Sequence, residues 1–246
     1  MRSGVYLTGG TAKGAKLFSV PGADVRPATS RVRVSLFEIL RARLPGAVAI
    51  DLFAGTGSLG LEALSRGAAF CVFFDTDPRC AEVLNRNLAK LRLADRADVR
   101  RESAFDALRV LCRPALDTAP GPPPLTPGRP AEPDGPPRGP QPEGLRPGVK
   151  GKDRAAGGGA SQSGAAPRQG PADIVFVDPP YAFYDERPEE MGRLLSGWAA
   201  TPLLAPGGLV LVEHRPRQTF AAQDFEVGDE RGYGGTVVTF LRKPGR

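Results

Sequence analysis

The chain has 246 residues, with 33 Lys and Arg against 27 Asp and Glu, which gives a formal net charge of +6. One His and three scattered Cys leave little material for a zinc site or a histidine-based catalytic triad. No apolar run approaches the roughly 18 residues of a membrane-spanning helix. The N-terminus lacks the apolar stretch of a signal peptide, so we expect a soluble, cytoplasmic protein with no membrane partner and no metal.

The basic excess is concentrated at the N-terminus. Residues 1–43 contain eight basic and two acidic residues, while the rest of the chain is balanced. Such a cluster is typical of a surface that contacts phosphate groups, although a solvated basic face without a partner explains the charge equally well.

One internal segment differs sharply in composition from the rest. Residues 114–171 contain 15 of the 26 prolines and 12 of the 31 glycines, and they lack Phe, Tyr, Trp and Ile. This composition cannot bury enough apolar surface to offset the entropy lost on ordering. We therefore predict a single domain over 1–246, with a basic N-terminal extension at 1–43 and a disordered insert at 114–171.

Strand and helix patterns alternate outside the insert. Apolar runs predict five strands, at 47–52, 70–75, 97–101, 173–178 and 208–213. Helical patterns occupy 31–44, 58–66, the segment after Asp77-Pro78, 105–112 and about 189–199. Runs near 225–227 and 236–241 predict a closing hairpin. Repeated strand–helix units indicate a doubly wound, mostly parallel α/β sheet with an antiparallel C-terminal hairpin.

A glycine-rich loop joins the first strand to the following helix. Gly55, Gly57 and Gly60 form a G-x-G-x-x-G pattern, and Asp75 ends the next strand 20 positions after Gly55. This pattern is shared by dinucleotide-binding proteins, so a nicotinamide oxidoreductase is one candidate. However, Asp51 directly precedes the loop, where a carboxylate would repel a pyrophosphate and attract a positively charged ligand. Alternatively, Asp51 merely caps the loop.

A second motif ends the fourth predicted strand. Asp178, Pro179, Pro180 and Tyr181 should lie beside the glycine loop, because strand carboxyl ends face the ligand crevice. The Asp178 carboxylate and Pro179 carbonyl can accept hydrogen bonds from the exocyclic amine of a base, and the prolines offer no competing N–H. Tyr181 can stack on a base that has been turned out of its helix. The alternative is a rigid turn that ends the strand.

Together these motifs resemble those of the bacterial 16S ribosomal RNA guanine-N2 methyltransferase family, specifically its D-type members. The resemblance covers nearly the whole chain outside the insert. Its narrowest part is the Arg-Pro-Ala-Thr-Ser-Arg-Val-Arg stretch at 26–33, and it also includes Gly9-Gly10, the 51–65 segment, the Asp178 motif and Val212-Glu213. The insert departs from the family pattern, and His214 has no expected role beyond that of a surface residue.

The resemblance implies a class I methyltransferase fold and transfer of a methyl group from S-adenosyl-L-methionine to guanine N2 in 16S rRNA or a small-subunit assembly intermediate, by a monomer. The implied catalytic residues are Asp178, Pro179, Pro180 and Tyr181. The implied cofactor-binding residues are Asp51, Phe53, Ala54, Gly55, Thr56, Gly57, Asp75, Thr76, Ser103 and Ala104. The candidate RNA-binding residues are Lys13, Lys16, Arg26, Arg31 and Arg33.

Three other functions remain open. A DNA amino-methyltransferase, acting on adenine N6 or cytosine N4, would use the same acceptor motif, but it usually has a target-recognition region, for which the insert has too few aromatic residues. A nicotinamide oxidoreductase would use the same glycine loop. A non-catalytic ribosome-assembly factor would retain the fold.

The helix predicted at 31–44 has a broad apolar arc formed by Val32, Leu36, Phe37, Ile39, Leu40 and Leu44. Arg33 falls within this arc, whereas Arg31 points away from it. Arg33 therefore either lines a pocket or packs its stem while its guanidinium reaches water.

Replacing residues 114–171 with a short Gly/Ser linker should leave the melting temperature and the activity nearly unchanged, because loop-closure cost grows only logarithmically with loop length. Thermal melting and steady-state kinetics of the deletion variant test this expectation. A large loss of activity would mean that the insert is an ordered functional element.

Overall fold

The computed structural model describes residues 4–20, 30–112 and 170–245. The predicted disordered insert lies outside these residues except for its last two positions, 170 and 171, and so does Arg26. The single-domain organisation and the disorder of the insert therefore stay predictions.

Within the described residues the chain forms seven strands and six α-helices. The strands are β1 (Val48–Asp51), β2 (Phe70–Phe74), β3 (Ala97–Arg100), β4 (Ala172–Val177), β5 (Leu204–His214), β6 (Glu226–Tyr233) and β7 (Thr236–Arg242). The helices are α1 (Ser30–Ile39), α2 (Ser58–Ser65), α3 (Pro78–Leu91), α4 (Ala107–Leu111), α5 (Ala182–Glu186) and α6 (Pro188–Ala200). Short 3-10 turns occupy Ala94–Arg96 and Ala104–Asp106.

The strands form one sheet in the order β3-β2-β1-β4-β5-β7-β6. Strands β1 to β5 are parallel, and β7 is antiparallel to both β5 and β6. The predicted class I methyltransferase architecture, a mostly parallel sheet with an antiparallel C-terminal hairpin, is confirmed. Because the winding direction reverses between β1 and β4, their carboxyl ends open a crevice at the switch point of the sheet.

Both faces of the sheet are covered by apolar packing. On one face, Phe37 of α1 lies against Phe176 of β4, with ring centroids 5.8 Å apart. On the other face, Trp198 of α6 is fully buried in a second apolar cluster. Strands buried on both sides read as continuous apolar runs, which is why β1, β2 and β4 were predictable from the sequence.

The N-terminal helix is shorter than predicted, since α1 ends at Ile39 and the chain continues in turns to Arg43. Pro45 disfavours the helical conformation of the residue before it, and Gly46 adopts a positive φ of 76°. Ile39, predicted on the buried arc, is 41 % exposed. The other five residues of that arc are buried.

Two further elements differ from the sequence prediction. Helix α5 was not predicted, because its five residues are too few to show a helical period. Strand β6 extends to Tyr233 although its residues are mostly exposed and polar. As an edge strand, β6 is held by its backbone ladder with β7 rather than by apolar burial.

The segment 4–20 packs against the first two helices of the βα units. The backbone N–H and hydroxyl of Thr8 donate to the Glu62 carboxylate, at 2.8 and 2.7 Å. The N–H of Phe18 donates to Asn87 Oδ1, also at 2.7 Å. Glu62 is fully buried, and its carboxylate is satisfied by the two Thr8 donors together with the Arg66 side chain. The described part of the basic extension is therefore part of the folded core rather than a free arm.

Gly60 allows α2 to lie close to the sheet. A Cβ atom at this position would stand 2.2 Å from Phe73 Cε1 and 2.7 Å from Cys71 Sγ, both on β2. Gly60 is thus required by the packing of helix on strand, the role expected of the third glycine of the loop.

Gly60→Ala should lower the free energy of unfolding by about 1–3 kcal/mol, because the added methyl group overpacks a rigid contact. Gly232→Ala is the matched control, since nothing lies within 4 Å of a Cβ at that position. Denaturant unfolding measures both variants. Equal stability of the two would show that α2 moves away from the sheet without cost.

Candidate functional site

A cavity of about 1210 Å³ opens at the carboxyl ends of the parallel strands. Its walls come from the segments that follow β1, β2, β3, β4 and β5, together with the β6–β7 turn. Four carboxylates line it, those of Asp51, Asp75, Asp178 and Glu213. This is the crevice that the switch point of the sheet predicts.

The cavity collects nearly all the predicted catalytic and cofactor-binding residues. The four residues of the acceptor motif line it, namely Asp178, Pro179, Pro180 and Tyr181. Nine of the ten predicted cofactor residues also line it: Asp51, Phe53, Ala54, Gly55, Thr56, Asp75, Thr76, Ser103 and Ala104. The exception is Gly57, which has a φ of 88° and packs instead against Leu84 of α3.

Asp75 fixes the shape of the glycine loop. Its Oδ2 accepts a hydrogen bond from the N–H of Gly55 at 2.7 Å, and its Oδ1 accepts one from the N–H of Asp77 at 2.8 Å. Gly55 has a φ of 53°, a left-handed conformation that costs glycine little. The Asp75 carboxylate thus links the loop after β1 to the loop after β2, and each oxygen retains a second lone pair for a ligand.

Asp51 is buried at the floor of the cavity and is only 1 % exposed. Its Oδ2 accepts from the N–H of Gly60 at 3.0 Å, whereas its buried Oδ1 has no hydrogen-bond partner among the described residues. Burial, reinforced by the charge of Asp75, raises the pKa of Asp51 to about 7, although the Gly60 hydrogen bond and the nearby Phe53 N–H oppose the shift. A buried acceptor without a partner is costly, so this oxygen is suited to a cationic or hydrogen-bond-donating ligand.

Asp178 and Glu213 lie at the ends of adjacent strands. Burial, together with the charges of Glu213 and Asp51, raises the pKa of Asp178. Burial also raises the pKa of Glu213 to about 7, although the Tyr181 hydroxyl and the charge of Arg33 oppose the shift. Like charges at a desolvated site do not all ionise readily, and a positive ligand would favour their ionised forms.

Contacts to the hydroxyl, the backbone carbonyl and the ring of Tyr181 hold this residue in place. Its hydroxyl lies 2.8 Å from Thr236 Oγ1 and 3.4 Å from Glu213 Oε1. Its backbone carbonyl accepts from the Gln218 side chain at 2.8 Å, and the Arg215 guanidinium lies 4.8 Å from its ring centroid. These contacts fix the orientation of the aromatic residue that ends the acceptor motif.

Three aromatic rings form one wall of the cavity. Phe53 meets Phe105 and Phe183 edge-on, with each centroid separation 6.0 Å, and Phe105 and Phe183 stack at 6.1 Å. Sequence reasoning found Phe53 but missed the other two rings. The sequence did contain a signal for both rings, since Phe105 directly follows Ala104 and Phe183 lies close behind Tyr181.

The expectation that His214 lies on the surface was wrong. The residue is 5 % exposed, and its Nε2 and Nδ1 each lie 2.9 Å from an oxygen, Thr239 Oγ1 and the Arg215 carbonyl respectively. Its ring packs edge-on against those of Tyr184 and Phe220. Strand β5 extends one residue beyond the predicted end, so His214 is a buried strand residue.

The candidate RNA-binding residues do not line the cavity. Lys13, Lys16 and Arg31 are exposed on the surface. Arg33 is 1 % exposed and donates to the Tyr6 carbonyl at 2.9 Å, with Glu62 and Glu213 as its nearby opposite charges. Its guanidinium does not reach water, so that alternative is wrong, and burial removes Arg33 from the surface available to an RNA backbone.

Across residues 4–20, 30–112 and 170–245 we find no cluster of three or more His, Cys, Asp and Glu that could hold a metal ion. In the same part of the chain, no helix is both long and apolar enough to cross a membrane.

Comparison with known proteins identifies a family. The profile of the family described as conserved hypothetical protein 95 matches residues 5–124 and 155–242, which is most of the chain. The chain is 39 % identical over 104 residues to YlbH of Bacillus subtilis, named as a candidate rRNA methyltransferase. It is 41 % identical over 88 residues to ribosomal RNA small subunit methyltransferase D of Escherichia coli K12. These alignments cover 42 % and 36 % of this chain, and the chain spans about half the length of the two relatives, 56 % and 44 %.

Solved structures resemble most of the chain. The Escherichia coli protein yhhF, described as a candidate methyltransferase, superposes with a TM-score of 0.63 at 26 % identity, covering 98 % of this chain and 99 % of that one. An RNA methyltransferase of Salinibacter ruber, crystallised with S-adenosyl-L-homocysteine, shares the fold at 15 % identity and a TM-score of 0.50, covering 89 % of this chain and 94 % of its own.

Asp51→Asn should stabilise the ligand-free protein at pH 8, by an amount on the order of 2–4 kcal/mol. The pKa of Asp51 is about 7 when folded and near 3.8 in the absence of burial, so the folded protein holds more protons between these values. The cost of ionising Asp51 therefore grows as pH rises through this window, and the stabilisation by Asn should shrink as pH falls from 8 to 5. Thermal melts across this range measure the effect.

Asp95→Asn provides the control, because Asp95 is an exposed carboxylate on the 3-10 turn at Ala94–Arg96. Its melting temperature should track that of the unaltered protein at every pH. A pH-independent effect of Asp51→Asn would show that the Asp51 carboxylate is not desolvated.

Proposed function

The chain belongs to the conserved hypothetical protein 95 family, and from that premise we propose that it methylates small-subunit (16S) ribosomal RNA at the exocyclic N2 amine of a guanine. The observation that carries the proposal is the pairing, in one cavity, of an unpartnered buried oxygen on Asp51 with an amine-accepting motif that begins at Asp178.

The residues of the cavity fit S-adenosyl-L-methionine, the cofactor of this class of methyltransferase. The cofactor carries an α-ammonium and a sulfonium, and it supplies an electrophilic methyl group. The free Oδ1 of Asp51 suits the ammonium, and Asp75 has remaining lone pairs for ribose hydroxyls. The aromatic wall of Phe53, Phe105 and Phe183 suits a planar base. No phosphate needs to be accommodated beside Asp51.

The acceptor motif supplies what an exocyclic amine needs. The amine is a weak nucleophile because its lone pair is delocalised into the ring. Hydrogen bonds to the Asp178 carboxylate and the Pro179 carbonyl favour a more tetrahedral nitrogen whose lone pair points at the methyl group. When bound, the cofactor would supply the methyl group with its thioether as the leaving group, and the nitrogen would lose one proton to a nearby carboxylate or to water. Correct positioning of the amine and the methyl group supplies most of the lowering of the activation barrier, at best on the order of 7–11 kcal/mol.

The electrostatics of the cavity couple the two binding events. Without a ligand, burial and the neighbouring carboxylates raise the pKa of Asp178, which favours its protonated form. A cation bound next to Asp51 and Asp178 favours the ionised forms of both. Cofactor binding therefore prepares Asp178 to accept hydrogen bonds from the amine.

A surface for the RNA is proposed at the N-terminal segment. Lys13 and Lys16 are exposed on the segment 4–20, which is anchored to α2 and α3 through Thr8 and Phe18, and Arg31 is exposed on α1. The folded domain thus holds these cations in fixed positions relative to the cavity. Cations held in this way can contact the phosphates of a nucleic-acid backbone and set its register.

Labelled S-adenosyl-L-methionine, incubated with unmodified 16S rRNA, small subunits, assembly intermediates and DNA, tests the substrate directly. The proposal predicts label in RNA, recovered as N2-methylguanosine on nucleoside analysis. Label in N6-methyladenine or N4-methylcytosine of DNA would instead establish the DNA amino-methyltransferase alternative.

Asp178→Ala should reduce turnover by more than about a hundredfold while leaving cofactor affinity within a few-fold, because Asp178 acts mainly on the incoming amine. Single-turnover kinetics and equilibrium binding separate the two effects. Asp173→Asn serves as the control, since Asp173 lies at the opposite end of β4 and accepts from Val48 N–H, which an amide oxygen also does. Survival of activity within tenfold in Asp178→Ala would refute the assigned role.

A further inference from the structure

We propose that Arg187 and Arg215 form a phosphate clamp at the rim of the cavity, which binds backbone phosphates of the RNA next to the nucleotide being methylated. This inference rests on the proposed function and assigns substrate-binding residues that lie far along the chain from the basic N-terminal segment. Both residues are exposed, and both line the cavity.

The charge distribution of the cavity calls for such a clamp. The acidic side chains that line it are Asp51, Asp75, Asp178 and Glu213. Among the described lining residues, the only Lys or Arg side chains are Arg187 and Arg215. Four carboxylates attract a cationic cofactor but repel a polyanion, so the RNA backbone needs a source of positive charge at the point of entry. The two arginines provide it.

Arg215 lies over Tyr181, the last residue of the acceptor motif. Its guanidinium lies 4.8 Å from the Tyr181 ring centroid. Its backbone N–H donates to Gln218 Oε1 at 3.0 Å, and the side-chain amide of Gln218 donates in turn to the Tyr181 carbonyl at 2.8 Å. The backbone carbonyl of Arg215 lies 2.9 Å from His214 Nδ1. The turn that carries Arg215 is thereby attached to the segment that carries Tyr181.

Arg187 lies over the ring of Phe183, as Arg215 lies over the ring of Tyr181. Its guanidinium lies 5.0 Å from the Phe183 ring centroid, and its backbone N–H donates to the Phe183 carbonyl at 2.9 Å. Its ion pair with Glu190, at 3.6 Å, is exposed on both sides. Such a pair stabilises little and gives way readily to a phosphate.

Stacking on an aromatic ring prepares a guanidinium for phosphate. A guanidinium that lies over a ring can still donate its N–H groups to a phosphate, and at Arg187 the exposed pair with Glu190 gives way to it. Because Tyr181 and Phe183 closely follow the prolines of the motif, both guanidinium groups line the cavity that the base would enter. The geometry therefore fits a nucleotide held by its backbone while its base enters the cavity.

Binding of the cofactor's carboxylate is the competing role for either arginine. The two roles differ in what they predict. A phosphate contact changes RNA affinity and its dependence on salt, whereas a carboxylate contact changes the affinity for the cofactor.

The test uses the full chain with Arg187→Ala, Arg215→Ala and Arg215→Gln. The controls are Arg193→Ala and Arg217→Ala, which remove exposed arginines from α6 and from the Arg215 turn that do not line the cavity. Fluorescence anisotropy gives the dissociation constant for a labelled small-subunit rRNA fragment across a salt series. Calorimetry gives the affinity for S-adenosyl-L-homocysteine, and thermal melting checks that each variant is folded.

Each clamp variant should weaken RNA binding about tenfold and reduce the slope of log K against log salt by about one, with S-adenosyl-L-homocysteine affinity within about twofold. The control variants should match the unaltered protein. Unchanged RNA affinity and salt slope in the clamp variants would overturn the inference, as would a loss confined to S-adenosyl-L-homocysteine binding.

A failure of the proposed function can be distinguished from a failure of the clamp. If the unaltered protein transfers no methyl group to any rRNA pool, the proposed function is refuted. If it methylates rRNA but the clamp variants bind RNA as tightly as the controls do, only the clamp is refuted.

Discussion

Four carboxylates meet at one edge of a parallel sheet, and their burial, reinforced at Asp51 and Asp178 by the charges of their acidic neighbours, is the constraint around which the site is built. Asp75 is neutralised in part by backbone N–H groups of the two loops it joins, and Asp51 by the N–H of Gly60. Burial raises the pKa of both Asp178 and Glu213, and for Glu213 the Tyr181 hydroxyl and the charge of Arg33 oppose the shift. The cavity is therefore organised for a positively charged ligand, whose arrival relieves the repulsion.

The N-terminal segment takes part in this balance. Arg33 of α1 is buried, and burial lowers its pKa while the charges of Glu62 and Glu213 oppose that shift. Glu62 in turn accepts hydrogen bonds from Thr8 and Arg66. Arg33 thus connects the two regions. It donates to the Tyr6 carbonyl of the segment at 4–20, and its charge acts on Glu213, the carboxylate beside Tyr181. The basic residues near the N-terminus have two physical roles, since Arg33 offsets internal charge while Lys13 and Lys16 remain on the surface.

The features that sequence reasoning found are those with local signals. Continuous apolar runs located β1, β2 and β4, and the residues at their ends, Asp51, Asp75 and Asp178, converge because parallel strands end at one edge. The features it missed depend on contacts between distant segments. His214 and Arg33 are buried by partners far along the chain, and Phe105 meets Phe183 across the insert. Edge strand β6 is held by backbone pairing, which leaves no apolar pattern in the sequence.

The central claim is that Asp51 and its neighbouring carboxylates form a receptor for a cationic cofactor. Calorimetric titration with S-adenosyl-L-methionine at pH 7, in two buffers of different ionisation enthalpy, counts the protons exchanged on binding. Because burial raises the pKa of Asp51 to about 7, a fraction of these carboxyls is protonated before binding and should ionise beside the ammonium. The unaltered protein should therefore release more protons than Asp51→Asn and bind more tightly. Equal proton exchange and equal affinity in the two proteins would contradict the account.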